Sequence, residues 1–254
     1  MADSSLIDQL PLSVVFSVFF FSILVTLGLG YQFSQSLIKK GSKGGYGPMS
    51  GGIASLLAFI LALTFSMTAT RNNDRKSLVV EEANAIGTVY LRADLLPSPF
   101  KEEAKSLLRD YIDLRIRSAS KTLVDRIKNS EKLQIALWKQ VVELHKVDKN
   151  VSIMLYTEAL NAMIDIHTLR LNKGLHGRVP SAIWLTLFAL TFIGVMLIGL
   201  QSGEKDRRNV LVGSIPFALA LSIVLILIVE LDRPTRSVMT ISQGALIDLQ
   251  KSVG

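Results

Sequence analysis

Residues 52–70 read GIASLLAFILALTFSMTAT, and they continue without a proline into RNNDRKSLVVEEANAIGTVYLR at residues 71–92. The first part is apolar and long enough to cross the hydrocarbon core of a bilayer, which takes about 20 helical residues. The second part is too charged to enter lipid, but only Gly87 weakens it as a helix, by about 1 kcal/mol relative to alanine. The stretch therefore predicts one long helix that crosses the membrane and projects well out of it.

Three further apolar runs have the length of a membrane span, and they lie at residues 11–33, 181–200 and 210–231. Together with residues 52–70 they form two close pairs, separated by a charged stretch that is too long to be a loop. No segment shows the alternating pattern of a strand. The sequence therefore predicts an all-α, polytopic membrane protein with four transmembrane helices in two hairpins and a helical domain inserted between spans 2 and 3.

This arrangement divides the chain into four segments. They are the first transmembrane hairpin at residues 1–70, the inserted extramembrane domain at 71–179, the second transmembrane hairpin at 180–232 and an amphipathic C-terminal tail at 233–254. Within the insert, Pro97 and Pro99 end the first helix, because proline removes a backbone donor and disfavours helical geometry before it. Apolar residues at three- and four-residue spacing then predict a helix after Ser98 and two more at residues 122–147 and 151–171.

The composition excludes several classes of function. The chain has no cysteine, which removes disulfides, thiol catalysis and thiolate metal sites. Its net charge of +7 requires no nucleic acid, because lysine and arginine near lipid headgroups are ordinary in membrane proteins. We expect a multi-pass protein of the bacterial inner membrane that has the lipid bilayer around it and uses no cofactor, metal or nucleic acid.

The side of the membrane that the insert faces stays open. The short loops at residues 34–51 and 201–209 carry several lysines and arginines, whereas the amino-terminal leader carries none, which favours an external amino terminus. Basic residues also flank the insert and the end of the fourth span. Those charges favour the opposite orientation, although charges next to a long domain carry less weight.

One face of the second span carries a candidate ion pathway. Ser55, Phe59, Ala62 and Ser66 alternate small polar and bulky apolar side chains, which is typical of a hydrophobic constriction in a pore built from several copies of a helix. The alternative is packing within one chain, because small residues let helices approach closely in lipid.

Charged residues on the extension of this helix are candidates for selecting or gating ions. Asp74, Glu81, Glu82 and Arg92 are predicted to set a charge preference outside the pore, where repeated copies would focus an electrostatic potential. A solvated or salt-bridged helix surface is the alternative. Glu81 and Glu82 lack a nucleophile, histidine or metal triad, so we predict no catalytic residues and no enzymatic activity.

Two smaller groups of residues have local interpretations. Glu230, Asp232 and Arg233 end the fourth span, where they are predicted to form an interface ion pair. The histidines do not have the paired spacing of a zinc site and are expected on the surface. They are His145, His167 and His176.

Two motifs carry a resemblance to a known family. At RKSLVVEEANAIGTVYLRADLLP, residues 75–97, and at LDRPTRS, residues 231–237, the chain resembles the bestrophin-like family of bacterial membrane proteins, whose function is otherwise unassigned. The resemblance covers most of the chain, including the order of two spans, an insert and two spans. Members commonly have an aromatic residue after the Arg-Pro pair, where this chain has Thr235.

This family is similar in architecture to bestrophins, which are oligomeric ion channels with four spans per subunit and a pore lined by the second span. The resemblance therefore implies a homo-oligomer that passes inorganic ions along its second span, with a cytoplasmic insert. Animal bestrophins have an acidic calcium clasp after the fourth span, but only Asp232 and Asp248 follow it here, so no calcium site is implied. The alternative function is a non-conducting membrane scaffold or sensor whose insert binds a partner.

Overall fold

A computed structural model describes residues 10–40, 47–116, 123–147, 150–176, 178–233 and 242–254 of the chain. It is 92% helix, and the described residues contain no strand, which confirms the all-α class. Pro234 and Thr235 lie outside the described residues.

Eight α-helices make up the described part of the chain. They are α1 Leu12–Lys39, α2 Gly47–Arg92, α3 Phe100–Ile116, α4 Leu123–Val147, α5 Val151–His176, α6 Ser181–Gln201, α7 Arg207–Asp232 and α8 Gly244–Val253. Short 3-10 turns follow two of these helices, at Ala93–Leu95 and Ser202–Glu204. By length and composition α1, α2, α6 and α7 are able to span a membrane, which confirms the four predicted spans.

The second span and its charged extension form one unbroken helix, as the sequence predicts. α2 contains 46 residues and ends close to the prolines at positions 97 and 99. The helix predicted for residues 151–171 is longer than expected, because α5 continues through Gly174 to His176. A single glycine costs a helix only about 1 kcal/mol relative to alanine, so it does not have to end the element.

The contacts divide the chain into two compact units. The membrane unit comprises Met1–Asn72 and Gly177–Thr240, and the helical unit comprises Asn73–His176 and Ile241–Gly254. α2 contributes its apolar part to the membrane unit and its charged part to the helical unit. The C-terminal helix α8 belongs to the helical unit.

The core of the membrane unit forms where α1 packs along α6 and α7. Buried side chains from all four spans meet there. They are Ile23 and Leu27 of α1, Leu57 of α2, Leu187 and Val195 of α6, and Ala218, Leu221 and Leu225 of α7. Ring contacts at the edge of this core include Phe19 against Phe188, with centroids 5.8 Å apart.

Helices α1 and α6 approach each other closely at two glycines. A methyl group added at Gly30 would collide with the carbonyl oxygen of Met196 and lie 3.1 Å from Cα of Gly199. One added at Gly199 would collide with the carbonyl oxygen of Leu27. Small residues permit this backbone contact, and such packing drives helix association in lipid, where hydrophobicity cannot.

We expect Gly30→Leu to lower the melting temperature of the detergent-solubilised protein, whereas Gly28→Leu on the same helix leaves it nearly unchanged. Overpacking costs about 1–3 kcal/mol, and each kcal/mol shifts the melting temperature by about 2–4 °C at this size. Gly28 is the matched control because nothing lies within 4 Å of an added methyl group there. Equal melting temperatures for both variants, followed by circular dichroism, would contradict this role for Gly30.

The helical unit has a core of its own. Four of its helices contribute fully buried side chains. These include Ile86 and Val89 of α2, Leu108 and Ile112 of α3, Leu137 of α4, and Tyr156, Leu160 and Met163 of α5. The C-terminal helix adds Leu246, and the hydroxyl of Tyr90 donates a 3.0 Å hydrogen bond to the carbonyl oxygen of Val253.

Candidate ion pathway and a buried carboxylate

The predicted pore face of α2 is exposed within the chain. Ser55, Phe59, Ala62 and Ser66 are all exposed, and the Phe59 side chain reaches 59% exposure. The buried side of the same helix carries other residues, which include Leu57, Thr64 and Thr68. The face is therefore available either to lipid or to another copy of the chain.

The hydroxyl of Ser55 is already used within its own helix, since it donates a 2.9 Å hydrogen bond to the carbonyl oxygen of Gly51. Exposed apolar residues lie on both sides of the face. They are Leu56, Leu63 and Phe65. The polar part of this face is therefore a narrow strip, and Phe59 is the bulkiest side chain on it.

Two of the four charged residues predicted on the extension pair at the surface with residues of opposite sign. Asp74 lies 3.2 Å from the ammonium of Lys173, and Arg92 lies 3.5 Å from the carboxylate of Glu158 while it donates to the carbonyl oxygen of Leu155. All four ionic side chains are at least partly exposed. Pairs of this kind contribute only about 0–1 kcal/mol, so they are local contacts of the surface.

Glu81 and Glu82 have opposite surroundings. Glu81 is exposed and has no ion pair among the described residues, whereas the Glu82 side chain has 0% exposure. Adjacent helical residues point about 100° apart, which allows one to face water and the other the core. The sequence predicts Glu82 on an exposed face of the extension, whereas in the structure the helical unit encloses its carboxylate.

The carboxylate of Glu82 binds two guanidinium groups. Nε of Arg115 lies 2.9 Å from Oε1 in an ion pair, and an Nη atom of Arg115 donates a 3.1 Å hydrogen bond to Oε2. Arg170 donates to Oε2 from the opposite helix α5. Charge-assisted hydrogen bonds of this kind are stronger than hydrogen bonds between neutral groups.

Further polar groups complete the surroundings of Glu82. The Tyr111 hydroxyl lies 3.4 Å from Oε1 and 3.1 Å from Nδ1 of His167, and Nε2 of Gln134 donates to that hydroxyl at 3.2 Å. His167 Nδ1 is 3.7 Å from Oε1 of Glu82. We refer to these six residues, Glu82, Tyr111, Arg115, Gln134, His167 and Arg170, as the Glu82 cluster.

The cluster connects four of the five helices of the helical unit. Glu82 lies on α2, Tyr111 and Arg115 on α3, Gln134 on α4, and His167 and Arg170 on α5. Arg170 also lies within 3.4 Å of the side-chain oxygen of Gln243, the residue that precedes α8. One buried carboxylate therefore organises hydrogen bonds from four helices and from the residue that precedes α8.

The ionisation of the cluster follows from these contacts. Burial alone raises the pKa of Glu82, but the hydrogen bond with His167 and the charges of Arg115 and Arg170 outweigh it and lower the pKa to about 2. Burial raises the pKa of Tyr111, and the Glu82 charge raises it further, so the phenol stays protonated and can donate a hydrogen bond. Glu82 is therefore an anion at neutral pH.

The expectation that His167 lies on the surface is wrong, since the residue is 2% exposed and belongs to the cluster. His145 is half-buried, and its Nδ1 lies 2.9 Å from the carbonyl oxygen of Val141.

A periodic signal for the cluster existed in the sequence. Glu82 lies between Val79 and Ile86 at three- and four-residue spacing, which is the apolar stripe of the helix.

At the end of the fourth span, Glu230 and Arg233 are both buried. The carboxylate of Asp232 accepts a 2.9 Å hydrogen bond from the backbone N–H of Val179, which precedes α6. The ion pair predicted among Glu230, Asp232 and Arg233 remains a prediction.

We expect Glu82→Gln to destabilise the folded protein by about 3–5 kcal/mol, because it leaves two partly buried arginines without their counter-charge. Glu81→Gln is the matched control, and as an exposed substitution it should change stability by less than about 0.5 kcal/mol. Chemical unfolding of the full chain, followed by circular dichroism, measures both. Similar losses for the two variants would show that the cluster does not hold the unit together.

Acid provides a second test of the same cluster. Because the pKa of Glu82 falls from 4.5 to about 2 on folding, its stabilisation is complete above about pH 4.5 and disappears as the pH falls toward 2. A tenfold change in proton affinity is worth about 1.4 kcal/mol, so this contribution is about 3 kcal/mol. Between pH 5 and pH 2, the free energy of unfolding should fall by that much more for the native chain than for Glu82→Gln. An equal fall for both proteins would contradict a lowered pKa of Glu82.

The four apolar helices and their single buried core define a multi-pass helical membrane protein. The sequence profile of the Bestrophin-like domain matches residues 15–246, and the chain belongs to this family. The resemblance seen at residues 75–97 is thereby confirmed. No curated protein matches the chain by sequence.

Solved structures share the fold. Two point variants of a bacterial bestrophin homologue from Klebsiella pneumoniae superpose with TM-scores of 0.68 and 0.69, each at 12% identity. They cover 94% and 95% of this chain, and 98% and 97% of their own. A variant of a protein described only as a membrane protein has a TM-score of 0.71 at 12% identity and covers 93% of this chain and 97% of its own.

Proposed function

We propose that the chain forms a homo-oligomeric ion channel whose conduction path is lined by α2 and its charged extension. The observation that carries this proposal is the exposed face of Ser55, Phe59, Ala62 and Ser66, which no other described part of the chain covers. The fold it shares with bacterial bestrophin homologues supports the proposal, since bestrophins are channels.

The chemistry of this face suits a central axis. Small side chains at Ala62 and Ser66 gain from the close approach of neighbouring helices, because packing drives association in lipid. A ring of Phe59 side chains, one from each subunit, would form an apolar constriction that excludes water until it widens. The closed state then needs no charged gate within the membrane.

The remaining features of the proposal concern location and topology. The spans form two hairpins with the helical unit inserted between them, and the oligomer lies in the bacterial inner membrane and conducts inorganic ions. Glu81 lies along the extension with its carboxylate exposed, whereas Asp74 and Arg92 have ionic partners. We assign no enzymatic activity.

We expect Phe59→Ala to increase ion flux into liposomes about tenfold, because it removes the proposed apolar barrier. Phe65→Ala is the matched control, since Phe65 lies on α2 and is exposed but points about 120° away from Phe59. Flux is measured with purified, reconstituted full chain. Equal flux from the native protein and from Phe59→Ala would contradict the proposed constriction.

Because the chain has no cysteine, single cysteines give an independent measurement. Ser55→Cys and Ser66→Cys should react with a water-soluble, charged thiol reagent in the open Phe59→Ala background, and the reaction should block flux. Leu185→Cys on α6 is the exposed control and should stay unreactive because lipid surrounds it. Exclusive labelling of Ser55→Cys and Ser66→Cys by a lipid-soluble reagent would overturn the pore assignment.

A non-conducting scaffold or sensor is the second candidate function, and one observation favours it. α4 exposes Ile135, Trp138 and Val142 on one face of the helical unit. An exposed apolar stripe with a tryptophan is typical of a protein-binding surface. Folded, oligomeric protein that gives no flux even as Phe59→Ala would favour this function over the channel.

A further inference from the structure

One exposed face of α2 within the helical unit carries no ionisable side chain. Counted at about 100° per residue, six exposed side chains lie within an arc of about 80°. They are Asn73, Ser77, Val80, Asn84, Thr88 and Leu91, and we refer to them as the neutral face. None of them is ionisable, although α2 has charged residues throughout this part.

The charged residues lie beside the neutral face. Relative to Asn73, Lys76 points about 60° to one side and Glu81 about 80° to the other. These flanking charges have opposite signs, so in a ring of subunits their fields would oppose each other. Asp74 and Arg92 point about 100° away from Asn73, and Lys173 and Glu158 bind them.

The neutral face belongs to the charged extension of α2, which is part of the same unbroken helix as the predicted pore face. Under the proposed function this extension lines the conduction path, and the neutral face is a part of it that the described residues leave exposed.

Asn73 and Asn84 are the side chains on this face best able to contact an ion. The hydroxyls of Ser77 and Thr88 donate to carbonyl oxygens of their own helix, at 3.1 and 2.9 Å. No hydrogen bond of the Asn73 or Asn84 side-chain amide is present among the described residues. An amide offers a carbonyl oxygen to a cation and an N–H group to an anion.

We propose that Asn73 and Asn84 determine the ion preference of the channel, as two rings of neutral amides about 16 Å apart along the helix axis. This inference rests on the proposed function and adds a chemistry of selection to it. Neutral dipoles that solvate either sign discriminate weakly between small cations and anions. The pathway therefore conducts both signs with similar permeability, and Glu81 has little influence on the ratio.

The test is the reversal potential of full-length protein in planar bilayers under a potassium chloride gradient, in the Phe59→Ala background. We expect a cation-to-anion permeability ratio within about threefold of unity, Asn84→Asp to raise that ratio about threefold or more, and Asn84→Lys to lower it as much. Glu81→Gln should change the ratio by less than about twofold, because its carboxylate lies at the edge of the face. Asp248→Asn, an exposed change on α8, controls for the effect of altered net charge.

The possible outcomes distinguish this inference from the proposed channel function on which it rests. Currents whose ion preference follows Glu81→Gln but not the Asn84 variants would leave the channel standing and overturn the role of the neutral face. A strongly cation- or anion-selective current from protein whose neutral face is unmodified would overturn that role as well. No current from any variant, in protein shown to be folded and oligomeric, would overturn the channel proposal and this inference with it.

Discussion

The ion pair between Glu82 and the guanidiniums of Arg115 and Arg170 is the interaction on which the helical unit depends. A buried carboxylate loses the stabilisation of water, and only well-placed charges and hydrogen bonds can offset that loss. Here two arginines, a tyrosine and a histidine provide them, and each donor lies on a helix that packs around α2. The unit therefore folds correctly only when these helices come together around the two carboxylate oxygens of Glu82.

The same constraint distributes charge along α2. Glu82 lies nine positions after Asn73, which is about two and a half turns, so the two residues point in opposite directions. The carboxylate of Glu82 is turned toward the unit and neutralised there, whereas the neutral face carries hydroxyl, amide and apolar side chains between the exposed charges of Lys76 and Glu81.

The fold was largely predictable from the sequence because hydropathy and helical period act locally. The spans and the continuity of α2 follow from runs of apolar residues and from the position of Pro97. The site was less predictable. Glu82 and His167 are residues that usually lie on the surface, and their burial depends on Arg115 and Arg170, which lie far along the chain. Long-range pairing of this kind leaves no local pattern beyond the apolar spacing around Glu82.

The unbroken course of α2 has a mechanical consequence. Its 46 residues form a continuous ladder of backbone hydrogen bonds about 69 Å long, without an internal proline hinge apart from the first turn. Twisting such a rod at one end requires the whole rod to turn or its ladder to break. Because Glu82 is held by guanidiniums on two neighbouring helices, the rotational setting of α2 about its own axis is fixed at that point. The exposed side chains of this part of α2, which include Asn84 and Thr88, therefore keep their direction within the helical unit for as long as the ion pair holds.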